Sequence, residues 1–180
     1  MSEPAYPQEP IRNARSEAIS SNIHQRPQVD YRLDGFHKTL RMVSIALAMA
    51  LPVIFAMQMF GMTDLLPVRY GVAGEVLREG SVWEAVGGLI LLGLGTIAVA
   101  VLAGYPRIFN YPITLTAHNA QRQYNNAARM MIWIACSMAL IMVVMTASWL
   151  GLLVMGWIWA ALGLLLFAVI FFLGRMFRLR

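Results

Sequence analysis

The sequence predicts an all-α polytopic membrane protein with four transmembrane helices and both termini in the cytoplasm. Three observations predict it. Residues 130–174 contain no Asp, Glu, Lys, Arg or His. Two further charge-free windows, 42–63 and 85–106, each reach the roughly 20 residues that a helix needs to cross a hydrocarbon core about 30 Å thick. Hydrophobic residues make up 59% of the 180-residue chain and charged residues only 13%, a balance outside that of soluble domains.

The chain opens with about forty polar residues that resemble no cleavable signal, so its first apolar run is expected to persist as a helix. Residues 1–38 carry prolines, serines and charges but little apolar surface to offset the entropy of ordering, and are expected to form a cytoplasmic tail, free unless a partner orders it. Within the tail, Ile11, Ala14, Ala18 and Ile23 line a weak helical stripe after Pro10.

Residues 39–180 are read as the membrane domain, with spans near 40–60, 85–105, 130–147 and 153–173. The long apolar stretch must fold back on itself, and Ser148, Trp149, Leu150 and Gly151 are its natural break. Trp149 suits an interface and Gly151 a tight turn. Six Lys and Arg precede the first span, two lie in the 61–84 loop, three in the 105–129 loop, none at the last turn and three after the fourth span. The positive-inside rule therefore places the 61–84 loop outside and both termini and the 105–129 loop in the cytoplasm.

Small residues recur at every fourth position in Ser44, Ala48 and Pro52, in Thr96, Ala100 and Gly104, and in Ala135 and Ala139. Such stripes let helix backbones approach closely, either within the bundle or towards another protein. In the 105–112 segment, Tyr105, Phe109 and Tyr111 stand among Pro106 and Pro112, and both prolines favour extended backbone. Thr116 then fits an N-cap. Ala117, Ala120, Tyr124, Ala128 and Met131 follow at helical spacing into the third span, with His118, Asn119, Gln121, Arg122, Asn125 and Asn126 on the other face. That face reads as a collar at headgroup level.

In the outer loop, Pro67, Tyr70, Gly74, Glu75, Gly80 and Ser81 stand in register with a pattern of proline, aromatic, glycine, glutamate and a later Gly-Ser pair. The loop resembles a short extracytoplasmic domain of unknown function in bacterial membrane proteins, among them immunity proteins against a sporulation-delaying toxin. The run Phe109, Asn110, Tyr111, Pro112, with Thr116, Asn119, Gln123 and Tyr124, resembles the segment after the second span in many members. Together the matches cover about a quarter of the chain. Arg69 stands where that family usually has histidine and Val82 where it usually has lysine. A guanidinium cannot coordinate a metal or titrate near neutrality as imidazole does, so a role resting on that histidine does not carry over. The resemblance implies a small bacterial membrane protein and no enzyme. It makes Pro67, Arg69, Tyr70, Gly74, Glu75, Phe109, Asn110, Tyr111, Pro112, Asn119 and Tyr124 candidate loop or partner contacts.

Catalysis is not expected, because the topology separates His24, His37 and His118 from Asp64, Glu75, Glu79 and Glu84. The charge-free windows that form the interior of the spans hold no Asp, Glu, Lys, Arg or His, which argues against a proton path or an intramembrane haem ligand. No cofactor is expected. Cys136 is the only cysteine and reads as a buried hydrophobe. The single metal candidate is a soft thioether set for copper(I), Met57, Met59 and Met62, with gap-filling in apolar packing as the simpler account. The net charge of +5 sits beside apolar spans rather than on a folded basic domain, so lipid headgroups and not nucleic acid are the expected partners. What remains is a protein that works by contact: an accessory or assembly subunit among other integral membrane proteins, alternatively a stand-alone toxin-immunity or sensing protein, or third a small-solute transporter or pore.

Overall fold

The computed structural model describes residues 26–61, 65–71 and 74–179. The helical stripe expected around Ile11 to Ile23 lies outside them, as do His24 and Met62.

Four helices, each long and apolar enough to cross a membrane, dominate the chain. The first, α1, spans Gly35–Gln58 and begins earlier than the apolar run because Asp34 caps it. Its backbone is extended and its carboxylate accepts from the His37 N–H at 3.3 Å. Pro52 sits inside α1 and has no N–H to give the Ala48 carbonyl.

The loop after α1, in a chain expected to be all-α, contains an antiparallel ribbon. Strand β1, Leu66–Tyr70, pairs with β2, Val76–Gly80, Leu66 opposite Gly80 and Tyr70 opposite Val76, with register irregularities around Arg69. Gly74 takes φ +87° at the turn, and the Gly71 N–H closes it on the Glu75 carbonyl at 2.8 Å. The Trp149 indole N–H donates to the Pro67 carbonyl at 2.8 Å, so the ribbon is fastened to the end of the third helix.

Ser81 caps α2, Val82–Leu102, by accepting from the Glu84 N–H at 3.3 Å, and Glu84 pairs with Arg78 across the exposed surface. Instead of a fully extended segment, Pro106–Ile108 then forms a 3-10 turn. Proline is tolerated at its first position, where no donor is needed.

The third helix, α3, runs unbroken over Ala120–Trp149. Thr116 and Asn119 cap the turn leading into it reciprocally: the Asn119 N–H donates to the Thr116 hydroxyl at 3.3 Å and the Thr116 N–H to the Asn119 side-chain oxygen at 2.9 Å. At its other end Gly151 takes φ +71°. The Leu152 N–H reaches the Ala147 carbonyl at 2.8 Å and the Gly151 N–H the Ser148 carbonyl at 3.1 Å, which is a Schellman ending at the expected break. A short 3-10 turn, Met155–Trp157, leads into α4, Ile158–Arg178.

Helices α1, α2 and α3 pack on one another, whereas the main neighbour of α4 is α3. The core between the first three holds Phe55, Val86, Leu89 and Met142, with Trp149 tilted over Phe55 at 5.2 Å between ring centres. Ser44, Ala48, Thr96, Ala100, Ala135 and Ala139 are all buried inside this unit, so these stripes serve the bundle itself. Gly104 alone is exposed. The Ser44, Thr96 and Ser137 hydroxyls each bond a carbonyl one turn back in their own helix, at 2.8–2.9 Å. Large apolar side chains such as Met49, Val53, Leu91, Leu94, Leu166 and Phe167 coat the outside.

Candidate functional site

Many of the polar side-chain contacts gather at the end of the bundle where α1 begins and α4 ends. Residues 26–34, expected to be part of a free tail, lie against the chain's own loop and α3. Arg26 donates through Nη1 to the carbonyls of Arg107 at 2.6 Å and Phe109 at 2.7 Å, and its guanidinium lies 5.8 Å from the centre of the Tyr111 ring. The Tyr124 hydroxyl donates to the Pro27 carbonyl at 3.1 Å. Gln121 donates to the Gln28 carbonyl at 2.5 Å and accepts from the Asp30 N–H at 2.9 Å. Tyr31 and Tyr111 complete the seat by packing on Leu115, Ala120 and Tyr124. Burial pushes the phenols of Tyr31 and Tyr111 above their ordinary value, with Arg41 and Arg26 respectively opposing the shift. The backbone groups of Pro27, Gln28 and Asp30 thus meet side chains of α3.

Beside it, Asp34 Oδ1 lies 2.5 Å from His37 Nδ1, and Oδ2 lies 3.8 Å from Arg129. The hydrogen bond from His37 holds the carboxyl below the usual aspartate range, helped by the charges of His37 and Arg129. A carboxylate with a lowered folded value stabilises the native state while ionised. That stabilisation is present at neutral pH and lost as pH falls through the lowered value. Melting of the purified protein should therefore show an acid-sensitive component below about pH 4, and Asp34→Asn should remove that component. An unchanged acid profile in Asp34→Asn would refute the assignment.

Of the six polar residues expected to face outward at the start of α3, two, Asn119 and Asn126, are turned inward, and Gln123 beside them is buried as well. The Gln123 amide donates to the carbonyls of Met176 and Leu179, both at 3.0 Å, and the Asn126 amide to that of Phe172 at 2.9 Å. The Met176 and Leu179 carbonyls lie at the end of α4, where helical donors run out, and the Phe172 carbonyl sits one turn further in. His118 and Arg122 stay exposed.

The expected contact residues thus divide. Tyr111, Asn119 and Tyr124 are spent on the chain's own packing and capping, while Asn110 and Pro112 are exposed and Phe109 is half-buried. On the ribbon, Arg69, Gly74 and Glu75 are exposed. Pro67 is held by Trp149, and Tyr70 lines a cavity of about 310 Å³ with Met145, Trp149, Trp159 and Leu162. Met57 is 74% exposed and Met59 only 7%, so the two differ sharply in their surroundings. Among the described residues no group of three or more His, Cys, Asp or Glu is placed to hold a metal ion.

Sequence reasoning missed Arg26, Asp34, Gln121 and Gln123 as structural contacts. For Gln123 a signal existed: it falls between Ala120 and Ala127 on the apolar side of the helix, where an amide needs a buried partner. No protein-family model, curated protein or solved structure matches the chain.

Proposed function

We propose that this chain is a non-enzymatic protein of the bacterial inner membrane, termini inside, that acts through contacts with other integral membrane proteins as an accessory or assembly subunit. The observation that carries this reading is the placement of α4. Only 17% of its most apolar window is buried, against 39% for α3. Trp159, Leu166, Phe167, Ile170 and Phe171 form a long uncovered face, and Phe167 and Phe171 already stack on each other at 5.8 Å. A span held from one side presents a ready packing surface to a neighbouring transmembrane helix. The placement of Lys and Arg supports the proposed sides.

Extraction in mild detergent followed by native mass measurement tests the proposal, with a stable hetero-complex as the expected result. A lone species that protects cells from a toxin would replace it with the immunity reading, which the exposed Arg69, Gly74 and Glu75 of the outer ribbon favour. Solute flux in liposomes containing this chain alone would replace it with a transporter. Sidedness has its own test in a Cys136→Ala background. Glu79→Cys should react with an impermeant thiol reagent in intact cells and Ala117→Cys should not; the reverse pattern would invert the topology.

A further inference from the structure

Among the described residues where α1 begins and α4 ends, arginines outnumber carboxylates. Arg26, Arg41, Arg107 and Arg129 come from the tail, α1, the 105–112 loop and α3. The described carboxylates nearby are Asp30, which is exposed, and Asp34, which is engaged by His37 and Arg129. The Nε atoms of Arg26, Arg41 and Arg129 are shielded from solvent and have no hydrogen-bond partner among the described residues.

Arg41 is the focus. It lies on the same side of α1 as the buried His37, Ser44 and Ala48, so it points into the mouth between α1, α2 and α3 rather than outward. It makes no hydrogen bond or ion pair among the described residues. Its guanidinium stands at Gly104, with Nη2 and Nη1 3.6 and 3.8 Å from where a Cβ on that residue would be. The missing side chain leaves that space open, three residues before Arg107. Tyr31, half-buried, adds a hydroxyl with no hydrogen-bond partner among the described residues.

We infer that this mouth binds the phosphate of an anionic phospholipid headgroup, with Arg41 as the principal ligand. A guanidinium offers paired N–H donors to phosphate oxygens, and surrounding cations raise the local potential for an anion. Basic recesses between transmembrane helices are a setting in which anionic headgroups are held. The apolar flanks of α1 and α2, with Met42, Val43, Val101 and Leu102 exposed just beyond, suit the acyl chains. A lipid, rather than a soluble phosphate, fits a charged recess bordered by hydrocarbon-facing side chains. The inference rests on the membrane reading, but not on any protein partner.

The test uses the full-length chain in detergent, titrated with short-chain phosphatidylglycerol, short-chain phosphatidylcholine or inorganic phosphate and read by native mass measurement. Saturable phosphatidylglycerol binding is expected, weakened about tenfold or more by Arg41→Gln, partly restored in Arg41→Lys, and changed less than about twofold by Arg175→Gln with Arg178→Gln. Gly104→Val, which fills the space before Arg41, should give the same loss and covers the case in which Arg41→Gln fails to fold. Equal binding by wild type and both mouth variants, or equal affinity for phosphatidylcholine, would overturn the site. Displacement by inorganic phosphate at equal concentration would overturn the lipid as its source. A loss of thermal stability in Arg41→Gln that is the same with and without phosphatidylglycerol would reduce Arg41 to a charge balancing the end of the α2 dipole, and so would also overturn it.

Discussion

Replacing Gly93 with alanine should destabilise the fold, whereas the same replacement at Gly88, on the same helix, should not. An alanine Cβ at Gly93 would lie 2.7 Å from the Ala48 carbonyl oxygen, a backbone atom that cannot move without shifting α1. At Gly88 nothing lies within 4 Å. Elsewhere in a helix the change from glycine to alanine is favourable by about 1 kcal/mol, and that is the result expected at Gly88. At Gly93 overpacking should reverse the sign, with a loss of about 1–3 kcal/mol that grows for Gly93→Val. The close approach has a cause in α1: Pro52 leaves the Ala48 carbonyl without its usual helical donor, and α2 meets that carbonyl at a residue with no side chain. Reversible unfolding in mixed micelles would measure both variants. Equal stability of Gly93→Ala and Gly88→Ala would show that the two backbones do not touch there.

The second large effect is expected from removing the amides that hold α4. Gln123→Leu combined with Asn126→Leu keeps side-chain bulk but deletes three hydrogen bonds to the carbonyls of Phe172, Met176 and Leu179. Each such bond contributes about 0.5–1.5 kcal/mol net, so losing the three should cost about 1.5–4.5 kcal/mol. Because α3 is the main neighbour of α4, the loss should be local. Trypsin should cut at Arg175 and Arg178 faster in the double variant, while the α1–α2–α3 core keeps its melting behaviour. Wild-type resistance at both arginines would mean that apolar contacts alone secure α4.

The long elements were legible for a physical reason: an uncharged run of about 20 residues has few other stable solutions, and the four helices lie where those runs do. The Gly151 turn was equally legible, since a positive φ at a helix end favours glycine strongly. Helix starts were harder. Asp34 and Asn119 stand in polar surroundings, so their capping roles are invisible to an apolar count, and α1 extends five residues beyond its expected beginning near residue 40. The ribbon and the seated tail were not legible because both rest on contacts between residues far apart in sequence, Trp149 with Pro67 and Arg26 with Phe109. The candidate site was legible only as composition. The arginines could be counted, but which of them would meet a carboxylate depends on how the tail folds back.

The amides of Gln123 and Asn126 bear no net charge, and neither do the carbonyls they grip. Dissolved ions do not screen such a junction as they screen exchanges between full charges. Arg129 with Asp34, half open to water, is subject to that screening. Concentrated electrolyte should therefore weaken the attachment at the start of α1 while leaving the fourth helix in place, and dismantling under those conditions should begin from the N-terminal side.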